Sequence, residues 1–196
     1  MSTALRDAAR DEFCHVLSEV PPESPTLCEG WDAFDLACHV WVLNHDPLAW
    51  LGMALPPLAG LTDRRLARVR RRFTYPELVE ELRTGPASLR SVISDERNGS
   101  RHSLGEYFIH TEDVRRPNGL PDAHISPDLA EALWQRLHVA AAQLHPLSSW
   151  EFRTPQGGRG RIGWRTPSKR ITGEPGELML WAYGRRAAAR VTVDSL

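Results

Sequence analysis

Three residues offer this sequence its chemistry. His39 lies in the apolar run LACHVWV, and Glu106 and His110 lie in LGEYFIHTEDVRR. Glu106 and His110 are four residues apart, so on a helix both side chains project from one face. Tyr107, Phe108 and Ile109 surround them with apolar groups. A carboxylate in such surroundings is costly unless it is paired or bound to a cation. A buried imidazole needs partners for both ring nitrogens. One divalent metal ion would satisfy all three residues together. Two imidazole nitrogens and one carboxylate oxygen make the donor set of catalytic zinc sites, in which a fourth position stays open. The same donors suit iron, nickel or manganese, so they do not fix the metal. Taken singly, each residue also fits a satisfied core position or a surface helix pair, and no spacing ties residue 39 to residue 106. Asp113 follows His110 by three residues. It could orient His110 through a hydrogen bond, or simply face Arg116.

The remaining histidines and cysteines are weaker candidates. His45 sits off the face of His39, and His102, His124 and His145 fall in segments that read as loops. His15 and His138 read as exposed helix positions. Cys38 neighbours His39 but points about 100° around the helix. Cys14 reads as packing, and Cys28, in a turn, is the cysteine to test for reactivity. No nucleophile elbow, phosphate-binding loop or dinucleotide fingerprint is present.

Helices must position these groups. Leu5, Ala9, Phe13, Val16 and Val20 form one apolar stripe over residues 3–20, which Pro21 and Pro22 end. A second helix starts near Asp32 or Ala33, is apolar over a wide face and stops at Asp46-Pro47. Residues 48–60 read as a short helix and a loop. The stretch 62–73 carries six arginines (Arg64, Arg65, Arg68, Arg70, Arg71 and Arg72). It reads either as a solvated helix face paired with nearby acids or as a patch for anions. Two short helices follow around Gly85-Pro86, then a polar loop over 94–102. The helix bearing Glu106 and His110 should run from about Ser103 to Arg116, with Ser103 and Glu106 at capping-box spacing. Residues 127–144 form another amphipathic helix with Pro127 in its first turn. From Trp150 the pattern changes to short strands with Gly- and Pro-rich turns, then a short helix after Gly173 and a last strand. The expected organisation is a helical domain over residues 1–146 and a small α+β domain over 147–196.

The chain has 196 residues, of which 41% are hydrophobic and 25% charged. It can bury a core, which excludes disorder as its main state. Lys and Arg total 24 against 25 Asp and Glu. This balance argues against nucleic acid as a partner. No run approaches the roughly 18 apolar residues of a membrane span. Three cysteines without a CxxC pair, and no leader-like N-terminus, lead us to expect a reduced, cytoplasmic protein.

Beyond these residue-level readings, TLCEGWDAFDLACHV, with a His eight residues after its Trp, resembles the N-terminal domain of the mycothiol-dependent maleylpyruvate isomerase family. LGEYFIHTEDVRR is similar to the second metal motif of that family. GEPGELMLWAYGRRAAARV resembles its small C-terminal domain, which is similar to sterol-carrier folds. The resemblance covers most of the chain in the expected order and is strongest to an actinobacterial branch of metal-binding proteins. It implies a mainly α protein, with a DinB-like four-helix bundle holding the metal and a small C-terminal α+β appendage. The family's zinc ligands fall on His39, Glu106 and His110. The family's thiol cofactor implies mycothiol or a similar small thiol, and a transferase or isomerase acting on a small electrophile. Arg185 or Arg186 would take the place of the family's substrate-binding basic residue. The Arg-rich stretch 64–72 and the short C-terminal part depart from the isomerases, which argues against maleylpyruvate itself as substrate. Bundles of this kind can pair through a helix face, so a homodimer is open. A non-catalytic metal-binding stress or regulatory module is the rival reading. A metal-free bundle whose C-terminal part binds a lipid-like ligand is the third.

Overall fold

The computed structural model describes residues 3–45, 59–85 and 101–196. Asp46-Pro47, the apolar segment 48–58, the second of the two short helices expected around Gly85-Pro86, and residues 94–100 lie outside them. Among the described residues the chain forms seven helices and four strands. It divides into two compact units, Met1–Asp122 and Ala123–Leu196.

The first unit contains α1 (Thr3–Ser18), α2 (Ala33–His45), α3 (Ala59–Arg72), α4 (Tyr75–Thr84) and α5 (Arg101–Arg115). Helix α1 packs on α4 and α5, and α2 packs on α3 and α4. The apolar stripe of α1 supplies Phe13, Val16 and Leu17 to a core shared with Leu36, Leu78 and Leu82. Each such side chain contributes on the order of 1.5–3 kcal/mol when fully buried. Inside this core the Tyr75 hydroxyl donates to the Leu17 carbonyl at 2.8 Å, which joins α4 to α1. Asp32 caps α2, accepting from the Asp35 amide at 2.8 Å. Thr74 and Glu77 close a capping box on α4.

The basic stretch proves to be largely α3. Arg70 donates to Asp32 at 2.8 Å and to Asp35 at 2.6 Å. Its guanidinium also lies 4.5 Å from the centre of the Phe34 ring. One of the six arginines therefore ties α3 to the start of α2, while Arg64, Arg68 and Arg71 stay exposed.

Helix α5 begins at Arg101, two residues earlier than the pattern suggests. Ser103 is therefore inside the helix rather than before it, and His102 is helical rather than in a loop. The C-terminal end of α5 is fixed by buried charges. Glu112 accepts from Arg115 at 3.0 Å and from Arg116 at 2.8 Å, and Arg115 also pairs with Glu12 of α1. Glu112 is 2% and Arg115 5% exposed, so each requires the other.

The second unit contains α6 (Pro127–Leu144), β1 (Trp150–Arg153), β2 (Arg159–Ile162), β3 (Lys169–Thr172), α7 (Pro175–Ala182) and β4 (Thr192–Ser195). The sheet order is β2-β1-β3-β4. Strand β1 pairs antiparallel with β2 and parallel with β3, and β4 closes the far edge antiparallel to β3. Ser126 caps α6 through the Leu129 amide. The sequence reading divides the chain where helical pattern gives way to strand pattern. Compactness groups α6 with the sheet, because α6 packs on α7 and β2. Trp150 and Trp181 meet with ring centres 4.8 Å apart in this unit's core.

His138 is half-buried here, not exposed as its helix position suggests. Its Nδ1 lies 3.0 Å from the Trp134 carbonyl, and its ring faces β2 at Gly160. A Cβ at Gly160 would stand 1.6 Å from His138 Nε2, so only glycine fits there. Among the described residues, no helix is long and apolar enough to cross a membrane.

Candidate metal centre

Helix α2 carries His39 and helix α5 carries Glu106 and His110, and the fold sets the His39 ring and the Glu106 carboxylate each beside His110. The His39 and His110 rings meet edge to face with centres 5.2 Å apart. Glu106 Oε2 lies 3.7 Å from His110 Nε2. An additional link between the two helices comes from Asn44, which donates to the Tyr107 hydroxyl at 2.9 Å. Burial pushes the Tyr107 hydroxyl up to about 12, with the Asn44 bond pulling the other way, so it stays neutral.

The environment is graded. His110 is 5% exposed and Asp113 is 0% exposed, while His39 and Glu106 are half-buried. The His39 and Glu106 side of the group is therefore open to solvent, while the Asp113 side is closed to it.

Asp113 supports His110. Its Oδ2 lies 2.9 Å from His110 Nδ1. With Nδ1–H donating to Asp113, the lone pair of His110 sits on Nε2, the nitrogen beside Glu106. Arg116, the other partner considered for Asp113, donates to Glu112 at 2.8 Å. Both of these follow from the helical turn: residue 113 is one turn from 110, and 112 is one turn from 116.

Two further residues belong to this neighbourhood. His102 lies one turn before Glu106, and its Nδ1 is 3.7 Å from Glu106 Oε1. The helix thus presents His-x3-Glu-x3-His along one face. The spacing was visible in the sequence, but the polar residues around it hid the start of the helix. Cys28 lies in the loop before α2, and its Sγ donates to Asp113 Oδ2 at 3.2 Å. Ligand atoms of Cys28, His110 and Asp113 all lie within 4.8 Å of one another. No local pattern links residue 28 to residue 113.

These donors fit a divalent cation. The soft and borderline ligands present, imidazole and thiol with carboxylate, are those of zinc and its neighbours in the first transition row. His110 also has the arrangement typical of a metal-binding histidine, with one nitrogen tied to a carboxylate and the other turned to further donors. Cys14 and Cys38 are different. Both are wholly buried, and burial pushes their thiols up to about 11 and about 12. No disulfide joins the three cysteines.

The two arginines expected to bind substrate lie in the second unit just after α7. Arg185 donates to the Tyr183 carbonyl at 2.7 Å. Arg186 is exposed, with its guanidinium 4.9 Å from the centre of the Trp181 ring.

No family model matches this sequence, and no curated protein does. Among solved structures, the chain is similar to the mycothiol-dependent maleylpyruvate isomerase. The identity is 15% and the TM-score 0.63, over 97% of this chain and 90% of that one. A structure of that isomerase with a histidine-to-alanine substitution matches over the same shares at 14% identity and a TM-score of 0.63. At this identity the likeness establishes the fold. The mainly helical architecture with a small sheet that the resemblance implied is the one observed.

Proposed function

We propose that this chain binds a divalent metal ion through His39, Glu106 and His110, and uses it with a small thiol cofactor of the mycothiol kind. The reaction would be a transfer or isomerisation on a small electrophile. In this reading α1, α2, α4 and α5 are the four helices of a DinB-like bundle, and residues 147–196 are the sterol-carrier-like appendage. The observation that carries the proposal is His110. Its Nδ1 is held by a fully buried carboxylate, and its Nε2 faces Glu106 at 3.7 Å with the His39 ring alongside.

A dication held by these residues would acidify a thiol, or a water, placed at its open position. The protein's own residues supply the rest. Asp113 holds Nδ1–H of His110 and so leaves the lone pair on Nε2. Asn44 and Tyr107 hold α2 against α5 and so set the distance between the two histidines. Half-burial of His39 and Glu106 leaves a path for a small guest. Arg186, exposed on its indole, or Arg185 would bind an anionic group of cofactor or substrate.

Elemental analysis of the purified protein tests this reading. The expected result is about one dication per chain, lost on His110→Ala or His39→Ala. Full metal content in His110→Ala would refute the site. A turnover screen with mycothiol, bacillithiol and glutathione would then separate a thiol enzyme from a metal-binding module without catalysis.

A further inference from the structure

We propose that Cys28 is a positioning residue: its thiol steadies Asp113, and through Asp113 it sets the tautomer and direction of His110. The inference deepens the proposed metal centre and rests on it for its functional meaning.

The argument begins with Asp113. A carboxylate that is 0% exposed must have its oxygens satisfied by the protein. Oδ2 lies 2.9 Å from His110 Nδ1 and accepts from Cys28 Sγ at 3.2 Å. Two donors converging on one oxygen fix the carboxyl plane more firmly than the imidazole alone would. The thiol suits this task because it is a weak, neutral donor. A lysine or arginine there would neutralise Asp113 and weaken its hold on His110. The thiol adds direction without removing charge.

The loop that delivers Cys28 is itself anchored to α5. The Leu27 amide donates to the Asp113 carbonyl at 2.9 Å, and Asn118 donates to the Pro25 carbonyl at 3.0 Å. Thr26 shapes the turn, accepting from the Cys28 amide and donating to the Trp31 carbonyl at 2.8 Å. Trp31, three residues on, places its indole 4.9 Å from the His39 ring. One short loop therefore bears on both histidines: directly on His39, and through Asp113 on His110.

The Cys28–His110–Asp113 group could instead hold a cation itself, with the thiol as ligand. We assign Cys28 the positioning role, which needs only the hydrogen bonds at 2.9 and 3.2 Å that share Oδ2.

The test compares wild type, Cys28→Ala, Cys28→Ser and Cys28→Val. Serine keeps a donor, and valine fills the space without one, should alanine loosen the loop. In metal-free protein, nitrogen-15 spectra of labelled histidine read the His110 tautomer, with His110→Gln identifying its signals. Wild type and Cys28→Ser should show a single Nδ1–H form, and Cys28→Ala and Cys28→Val a mixture. Zinc affinity, read by chelator competition, should fall about 10-fold in the alanine and valine variants and recover in serine. The cobalt-loaded wild type should show no thiolate charge-transfer band. Wild-type tautomer and affinity in both Cys28→Ala and Cys28→Val would overturn the proposal. So would a thiolate band lost in Cys28→Ser, since Cys28 would then be a ligand. If wild type binds no zinc but the tautomer still depends on residue 28, the positioning role stands and the metal reading fails.

Discussion

Replacing Asp113 by asparagine keeps shape and removes charge, which isolates what the buried carboxylate does for His110. The site leaves the amide two choices. Its oxygen can face His110 Nδ1, and the bond then becomes neutral and roughly half as strong as the charge-assisted one. Alternatively its NH2 group faces Nδ1, and the proton must move to Nε2. Nε2 is the nitrogen 3.7 Å from Glu106, so this tautomer cannot donate a lone pair there. Either choice weakens metal binding. Loss of such an outer partner typically costs 10- to 100-fold in affinity, or about 1.4–2.7 kcal/mol. The amide also brings donors into a fully buried place. An unmatched one costs about 1–3 kcal/mol of stability, which should lower the melting temperature by several degrees. Chelator competition for zinc gives the first number, and thermal melts of metal-free protein give the second. A folded Asp113→Asn protein that binds zinc as tightly as wild type would refute the claim that Asp113 sets the ligand state of His110.

Three other outcomes follow from the structure. Arg70→Ala removes the tie between α3 and Asp32 and Asp35; these groups are part-exposed, so the loss should be about 1 kcal/mol after allowing for screening. Burial acts to raise the Asp32 pKa, but the bond and charge of Arg70, together with hydrogen bonds from Asp35, outweigh it and hold the carboxyl low. A lowered folded value means that this stability is present above the unfolded pKa of about 3.9 and fades as pH falls below it. The gap between wild type and Arg70→Ala in urea melts should therefore close in acid, and a gap that widens there would contradict the assignment. At pH 8 a thiol reagent should reach Cys14 and Cys38 only after unfolding, and Cys28 before them, because Cys28 is half-buried while burial holds the other two thiols near 11 and 12; labelling of Cys14 or Cys38 in native protein would refute this. Gly160→Ala should destabilise the second unit by about 1–3 kcal/mol through overpacking against His138. Adding His138→Ala should recover part of that loss in thermal melts, and no recovery would place the strain elsewhere.

What the sequence determined by itself was local. The i, i+4 spacing of Glu106 and His110 made them neighbours on any helix, and it did the same for Asp113 three residues on. The apolar stripe of α1, the Ser126-Pro127 start of α6 and the alternation after Trp150 each reflect the geometry of a single element. Those forces act within one turn or one strand, so they are written in consecutive residues. Only the tertiary structure decided what crosses between elements. It set the His39 ring 5.2 Å from that of His110, put the Cys28 thiol on a carboxylate 85 residues away, and gave Arg70 to the acids that begin α2. It also grouped α6 with the sheet, and it started α5 early enough to bring His102 onto the face of Glu106. Such contacts come from burying the apolar faces of helices against one another. That driving force is non-directional and carries no spacing that can be read along the chain.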